Sequence, residues 1–175
     1  VKTLTKKNWE VIALNSTNAN LLNPNALDAF SETKYDRIFH LAAWTQAGDF
    51  CLKHPGEQGL INQQLNTTVL NWWHKKQSQA KLISIGTSCA YEEGIDLSEE
   101  RYLSGTPIKD LYCYAMTKRM LLIGQKVLHQ QFGLDYLTVI PSTLYGPHYQ
   151  VGKKQMHFIF DLAWKYSFIL LCLSK

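Results

Sequence analysis

The chain has 175 residues, 46% of them hydrophobic and 18% charged, with a net charge of +4. That length suits one cored domain and crowds two. The charge is scattered, with Lys6-Lys7, Lys75-Lys76 and Lys153-Lys154 far apart in sequence, which makes a poor footprint for nucleic acid.

No run of eighteen apolar residues occurs, and the opening VKTLTKKNWE lacks the apolar core of a signal peptide. Neither membrane insertion nor secretion is expected, so a cytoplasmic setting is the default. Cys51, Cys89, Cys113 and Cys172 show no C-x-x-C spacing and no His at a zinc-like interval. Free thiols in a reducing compartment are expected, with no metal site.

In chain order, WEVIAL (9–14) is the first run that reads as a strand. NPNALDAFSE (23–32) reads as a helix, with Asn23 as cap and Pro24 at the first helical position. YDRIFHLAA (35–43) is a second strand, followed by a long helix over GEQGLINQQLNTTVLNWWHKKQ (56–77). AKLISIGTS (80–88) is a third strand, a helix runs from about 111 to 132 and stops at Gly133, and DYLTVIP (135–141) is a fourth strand. The strand runs are almost continuously apolar, as strands buried on both faces should be. Strand and helix in alternation predict βαβ units and a Rossmann-like, doubly wound α/β parallel sheet over residues 1–163. From Trp164 to Lys175 an apolar tail drops this pattern and is too short to span a bilayer.

Two Tyr-x-x-x-Lys pairs occur, Tyr114 with Lys118 and Tyr149 with Lys153, where composition gives about 0.8 by chance. Tyr149 follows Gly146-Pro147, a loop signal, so its spacing does not bring the side chains together. Tyr114 opens a helix, where residues four apart share a face. An ammonium close to a phenol stabilises the phenolate and lowers its pKa from about 10, which makes the tyrosine usable as an acid or base. Thr87 and Ser88 end a parallel strand at its carboxyl edge, where open α/β sheets bind ligands.

The series HLAA (40–43), IGTSCAYEE (85–93), Tyr114-x-x-x-Lys118 and IPSTLYGP (140–147) resembles the extended short-chain dehydrogenase/reductases that act on nucleotide-linked sugars. Within them it is similar to the GDP-L-fucose synthases, 3,5-epimerase/4-reductases of a GDP-linked 4-keto-6-deoxy sugar. The resemblance implies Thr87 as the hydroxyl of a triad, Tyr114 as proton donor to the 4-keto oxygen, and Lys118 as its tuner and a hold on the nicotinamide ribose. It implies Cys89 and His157 as the epimerisation acid and base; the alternatives are a buried structural thiol and a solvated ring. A thiol and an imidazole titrate near neutrality and suit such work. Asn20, Leu21, Leu41, Ala42, Ala43, Pro141 and Leu144 are expected at the cofactor, and Ser88 and Thr143 at the substrate. A homodimer through helices 57–77 and 111–132 is also implied, with Trp72-Trp73 in the core or at the subunit interface.

The glycine-rich turn of the family is missing, since the first glycine is Gly48. The opening therefore reads as the end of the family's first helix leading into the family's second strand, with the family's first strand missing along with that turn and the C-terminal substrate lobe largely absent. A fragment of an epimerase/reductase is expected; another sugar-nucleotide epimerase, dehydratase or reductase, or an inactive piece, is the alternative. LNSTNAN (14–20) lacks the carboxylate that would bind an NAD ribose hydroxyl, which leans toward NADP with NAD as the alternative.

Overall fold

The computed structural model describes residues 2–46, 49–142 and 144. After a short helix α1 (Lys2–Lys6), the strands β1 (Arg37–His40), β2 (Lys81–Ile85) and β3 (Tyr136–Val139) form one parallel sheet in the order β1-β2-β3. A short helix α2 (Phe50–Lys53) and the long α3 (Pro55–Lys76) connect β1 to β2, and α4 (Tyr112–Phe132) connects β2 to β3. Parallel neighbours need such crossovers, so the expected βαβ units are present.

The helix ends follow local chemistry. Pro55 takes the first turn of α3, where its missing N–H costs nothing, with Glu57 at the positive end and His74, Lys75 and Lys76 at the negative end. Gly133 closes α4 at φ 72°, its N–H donating to the His129 carbonyl at 2.8 Å.

Register puts His40, Ser84 and Thr138 side by side, and likewise Ile38, Leu82 and Tyr136. This face meets α3 and α4. Ser84 Oγ and Thr138 Oγ1 donate to Gln125 Oε1 of α4 at 2.7 and 3.0 Å. Leu82, Val69, Trp72, Trp73 and Leu134 form the main core with Ala19 and Leu27. Trp73 is fully buried and its indole N–H donates to the Ala80 carbonyl at 2.8 Å, which pays the polar cost of burying the ring. The tryptophan pair is thus core.

Three expectations change. Residues 9–14 form no strand: a strand needs a ladder partner, and none is available to them among the described residues. Trp9 instead lies against the Arg37 guanidinium, 4.6 Å from its ring centroid, and Asn15 and Asn18 exchange side-chain to backbone bonds in a turn. Residues 23–32 hold turns and one 3-10 turn, Asp28–Phe30, instead of a helix. There the Asn23 carboxamide accepts from Asn25 N–H at 3.0 Å, an Asx turn that competes with helical capping. Finally, the strands are buried on one face only: Phe39, Leu137 and Val139 on the other are 41–47% exposed, because both long helices cover the same side. The Rossmann-like parallel α/β sheet itself is as expected. Thr143, His157, Tyr149 with Lys153, and the 164–175 tail lie outside those residues.

Candidate active site

The carboxyl ends of three parallel strands point the same way, so the segments that follow them share one rim of the sheet. After β1, Leu41 and Ala42 are exposed and Ala43 is half-buried. Trp44 is gripped at both backbone groups by Asn62 of α3: its N–H donates to Oδ1 at 2.8 Å and its carbonyl accepts from Nδ2 at 3.0 Å. Asn62 is the middle of a buried amide row, Gln58, Asn62 and Asn66, spaced four residues apart on one helix face. Gln58 reaches Thr45 Oγ1 and Cys51 Sγ with its amide N–H, while its own Oε1 is buried without a partner.

After β2, Gly86 N–H still pairs with Val139, and extended Thr87 begins the 3-10 turn Ser88–Ala90. Thr87 Oγ1 accepts the N–H of Cys89 at 3.4 Å, so its hydroxyl hydrogen remains available to another acceptor. Ser88 is exposed, and Cys89 is half-buried with a free thiol. After β3, Pro141 is half-buried and Leu144 exposed. Asn20 and Leu21 sit in a turn docked on α3, where Thr68 Oγ1 donates to the Leu21 carbonyl at 2.8 Å; Asn20 Oδ1 is occupied by Leu22 N–H.

Helix α4, which carries Tyr114 and Lys118 near its start, packs on the Ser88–Ala90 turn. Cys89, Cys51 and Tyr102 all act electrostatically on the Tyr114 phenol. Tyr114, Lys118, Thr87 and Cys89 therefore share one neighbourhood, joined by Tyr102, whose Oη accepts from Thr87 N–H at 3.2 Å. The expected acidification of Tyr114 does not appear. Burial first, then Cys89, Cys51 and Tyr102, push its phenol up to about 12. Lys118 Nζ lies over the ring, 5.9 Å from its centroid, and burial lowers its own pKa to about 8. Desolvation outweighs attraction in this arrangement.

The sequence pattern assigned no role to His40, Asn66, Tyr102 or Arg119. His40, the inward residue ending β1, is 4% exposed, with Nε2 2.9 Å from Asn66 Oδ1; Asn66 Nδ2 in turn donates to the Thr117 carbonyl of α4. Burial, with Lys118 as a lesser cause, lowers the His40 pKa to about 4. Two-residue alternation would have turned His40 inward, and the amide row was visible at helical spacing; no local signal marks Tyr102 or Arg119. A depression of about 420 Å³ between β3, α4 and Glu99 is lined by none of the candidate residues.

A parallel βαβαβ core with ligand-capable residues at its carboxyl rim defines a Rossmann-like α/β protein. The chain belongs to the NAD dependent epimerase/dehydratase family, whose model matches residues 1–167. It is 29% identical over 148 residues to a probable GDP-L-fucose synthase of Drosophila melanogaster, covering 82% of this chain and 46% of that protein. It is 26% identical over 155 residues to the GDP-L-fucose synthase of Escherichia coli (strain K12), covering 86% and 47%. The chain thus spans about half the length of the curated relatives it matches. A GDP-mannoheptose C4 reductase from Campylobacter jejuni, solved with NADP bound, has a similar fold at TM-score 0.84 and 19% identity, covering 94% of this chain and 50% of that one.

Proposed function

We propose that the chain carries the cofactor-side half of a nucleotide-sugar epimerase/reductase of the GDP-L-fucose synthase type, which uses NADPH to reduce a GDP-linked 4-keto-6-deoxy sugar after 3,5-epimerisation. The observation that carries this reading is the meeting of Tyr114, Lys118 and Cys89 at the carboxyl rim of β2, in a chain whose curated relatives are GDP-L-fucose synthases.

The rim suits a dinucleotide. Leu41 and Ala42 are exposed just ahead of Trp44, whose backbone Asn62 holds, and the buried Gln58 Oε1 lacks a donor beside it. Asn20, Leu21, Pro141 and Leu144 would complete that lining. The missing carboxylate in LNSTNAN and the NADP of the heptose reductase favour NADP over NAD. When bound, the reduced cofactor supplies the hydride.

The chain's own residues handle the protons. Tyr114, held protonated at neutral pH, gives its proton to the keto oxygen as charge develops there. Lys118 then lies close to the phenolate that remains, and its charge stabilises it. Thr87 donates its free hydroxyl hydrogen to the same oxygen, with Ser88 and Thr143 on the sugar. Cys89 and His157 remove and return the protons beside the ketone. A homodimer through α3 and α4 belongs to this reading, supported by the outward Leu60, Met120 and Val127, 42–77% exposed. So does a cytoplasmic setting, where the NADP pool is kept reduced and thiols stay free.

The test is NADPH oxidation with GDP-4-keto-6-deoxymannose in deuterated water. Cys89→Ser should abolish deuterium entry into the keto sugar, and Tyr114→Phe should stop NADPH oxidation while exchange continues. Unchanged exchange in Cys89→Ser would favour a different reductase of the family. No thermal shift at millimolar NADPH would leave a non-catalytic piece.

A further inference from the structure

Between β2 and α4 the chain makes a long excursion whose neck is closed by an antiparallel bridge between Glu92 and Pro107. One buried side chain ties it to the helix. Arg119, 5% exposed, donates from Nε and Nη2 to the Ala90 carbonyl on the outgoing stem, at 2.9 and 2.6 Å. On the returning stem it donates from Nη2 to Ser104 and from Nη1 to Gly105, at 2.6 and 2.7 Å. None of the ion pairs among the described residues involves it, and these four hydrogen bonds all go to backbone carbonyls. Burying a guanidinium without a carboxylate is costly, and what this one gains is a planar fork that holds two stems at once.

The excursion carries Tyr102, which is 1% exposed and packs edge-on against Tyr91 with centroids 5.3 Å apart. Its Oη accepts the Thr87 N–H, and it acts electrostatically with both Cys89 and Arg119. Space for that oxygen exists because residue 86 is glycine: a Cβ there would stand 2.8 Å from it.

We infer that Arg119 is a positioning residue: by clamping the 90–105 excursion to α4 it fixes Tyr102, and through Tyr102 the backbone that aims Thr87 and Cys89 toward Tyr114. The kinetic consequence rests on the function proposed above; the clamp does not.

Arg119→Met, Arg119→Lys and Tyr102→Phe test it in the full chain, at a temperature where circular dichroism shows each folded. Three readouts are compared: iodoacetamide labelling of Cys89 against Cys51 and Cys113, tryptic cleavage after the exposed Arg101, and kcat against KM for NADPH-dependent reduction. Both Arg119 variants are expected to label Cys89 and cut at Arg101 roughly tenfold faster, with the other two thiols unchanged and kcat down about tenfold at constant KM, the scale of a small misplacement. Lysine does not rescue, since a point charge cannot hold two stems. Tyr102→Phe should speed Cys89 labelling but leave Arg101 protected. Parallel acceleration of all three thiols, or unaltered Cys89 and Arg101 in the Arg119 variants, overturns the inference. If Arg119→Met does not fold, Arg119→Lys and Tyr102→Phe decide it. A wild-type chain that reduces no nucleotide sugar removes the functional reading, while labelling and cleavage still decide the clamp.

Discussion

Acidification below pH 6.5 should cost this protein stability at one identifiable ring. His40 is buried at the end of β1, and burial with the nearby Lys118 charge lowers its pKa from 6.5 to about 4, against the opposing pull of Asn66. Between those two values the unfolded chain binds a proton that the folded chain does not. Stability therefore falls as pH falls through the window, and the loss is complete below about 4. At pH 5 the difference amounts to about 2 kcal/mol, and across the whole window to about 3 kcal/mol. Urea unfolding followed by tryptophan fluorescence at pH 7 and pH 5 measures it, with His40→Gln as the reference because glutamine can still pair with Asn66 and does not titrate. Carboxylates titrate in both proteins and cancel in the comparison. Wild type should lose about 2 kcal/mol more than the variant. Equal losses would mean that His40 is solvated, and the β1–α3–α4 connection through Asn66 and Thr117 would lose its basis.

Lys118 gives the same sign in a higher window. Its pKa is lowered from 10.5 to about 8 by burial, so wild-type stability should rise as pH climbs through that range. Lys118→Met should flatten the rise, stabilise the fold at pH 7 by up to about 3 kcal/mol in a thermal melt, and abolish the proposed reduction. A melt unchanged by the substitution would show that the ammonium is hydrated. Gly86→Ala drives a methyl to 2.8 Å from Tyr102 Oη and 3.1 Å from Ile140, with a cost of about 1–3 kcal/mol in denaturant unfolding. The same variant should speed Cys89 labelling, since Tyr102 must leave Thr87 to make room; a silent substitution would deny that contact.

Much of the scaffold was written in local sequence. The apolar runs around 37–40, 81–85 and 136–139, the proline at the start of α3 and the glycine after α4 act within one or two turns of chain, so each could be read without knowing its neighbours. The four-residue spacing of Tyr114 and Lys118 was legible for the same reason: a helix fixes that distance by itself. The strand expected at 9–14 failed because a strand is defined by its partner, and no spacing within the run reveals whether one is there. The direction of the Tyr114 shift was likewise out of reach, because it depends first on how deeply the phenol is buried and then on its nearness to Cys89, Cys51 and Tyr102. Arg119 is the extreme case: its four hydrogen bonds join residues 14 to 29 positions apart, and only the closed path of the excursion brings them together. Periodicity fixes which way a side chain leaves its own element, whereas burial, charge partners and hydrogen-bond acceptors belong to whatever the rest of the chain packs against it.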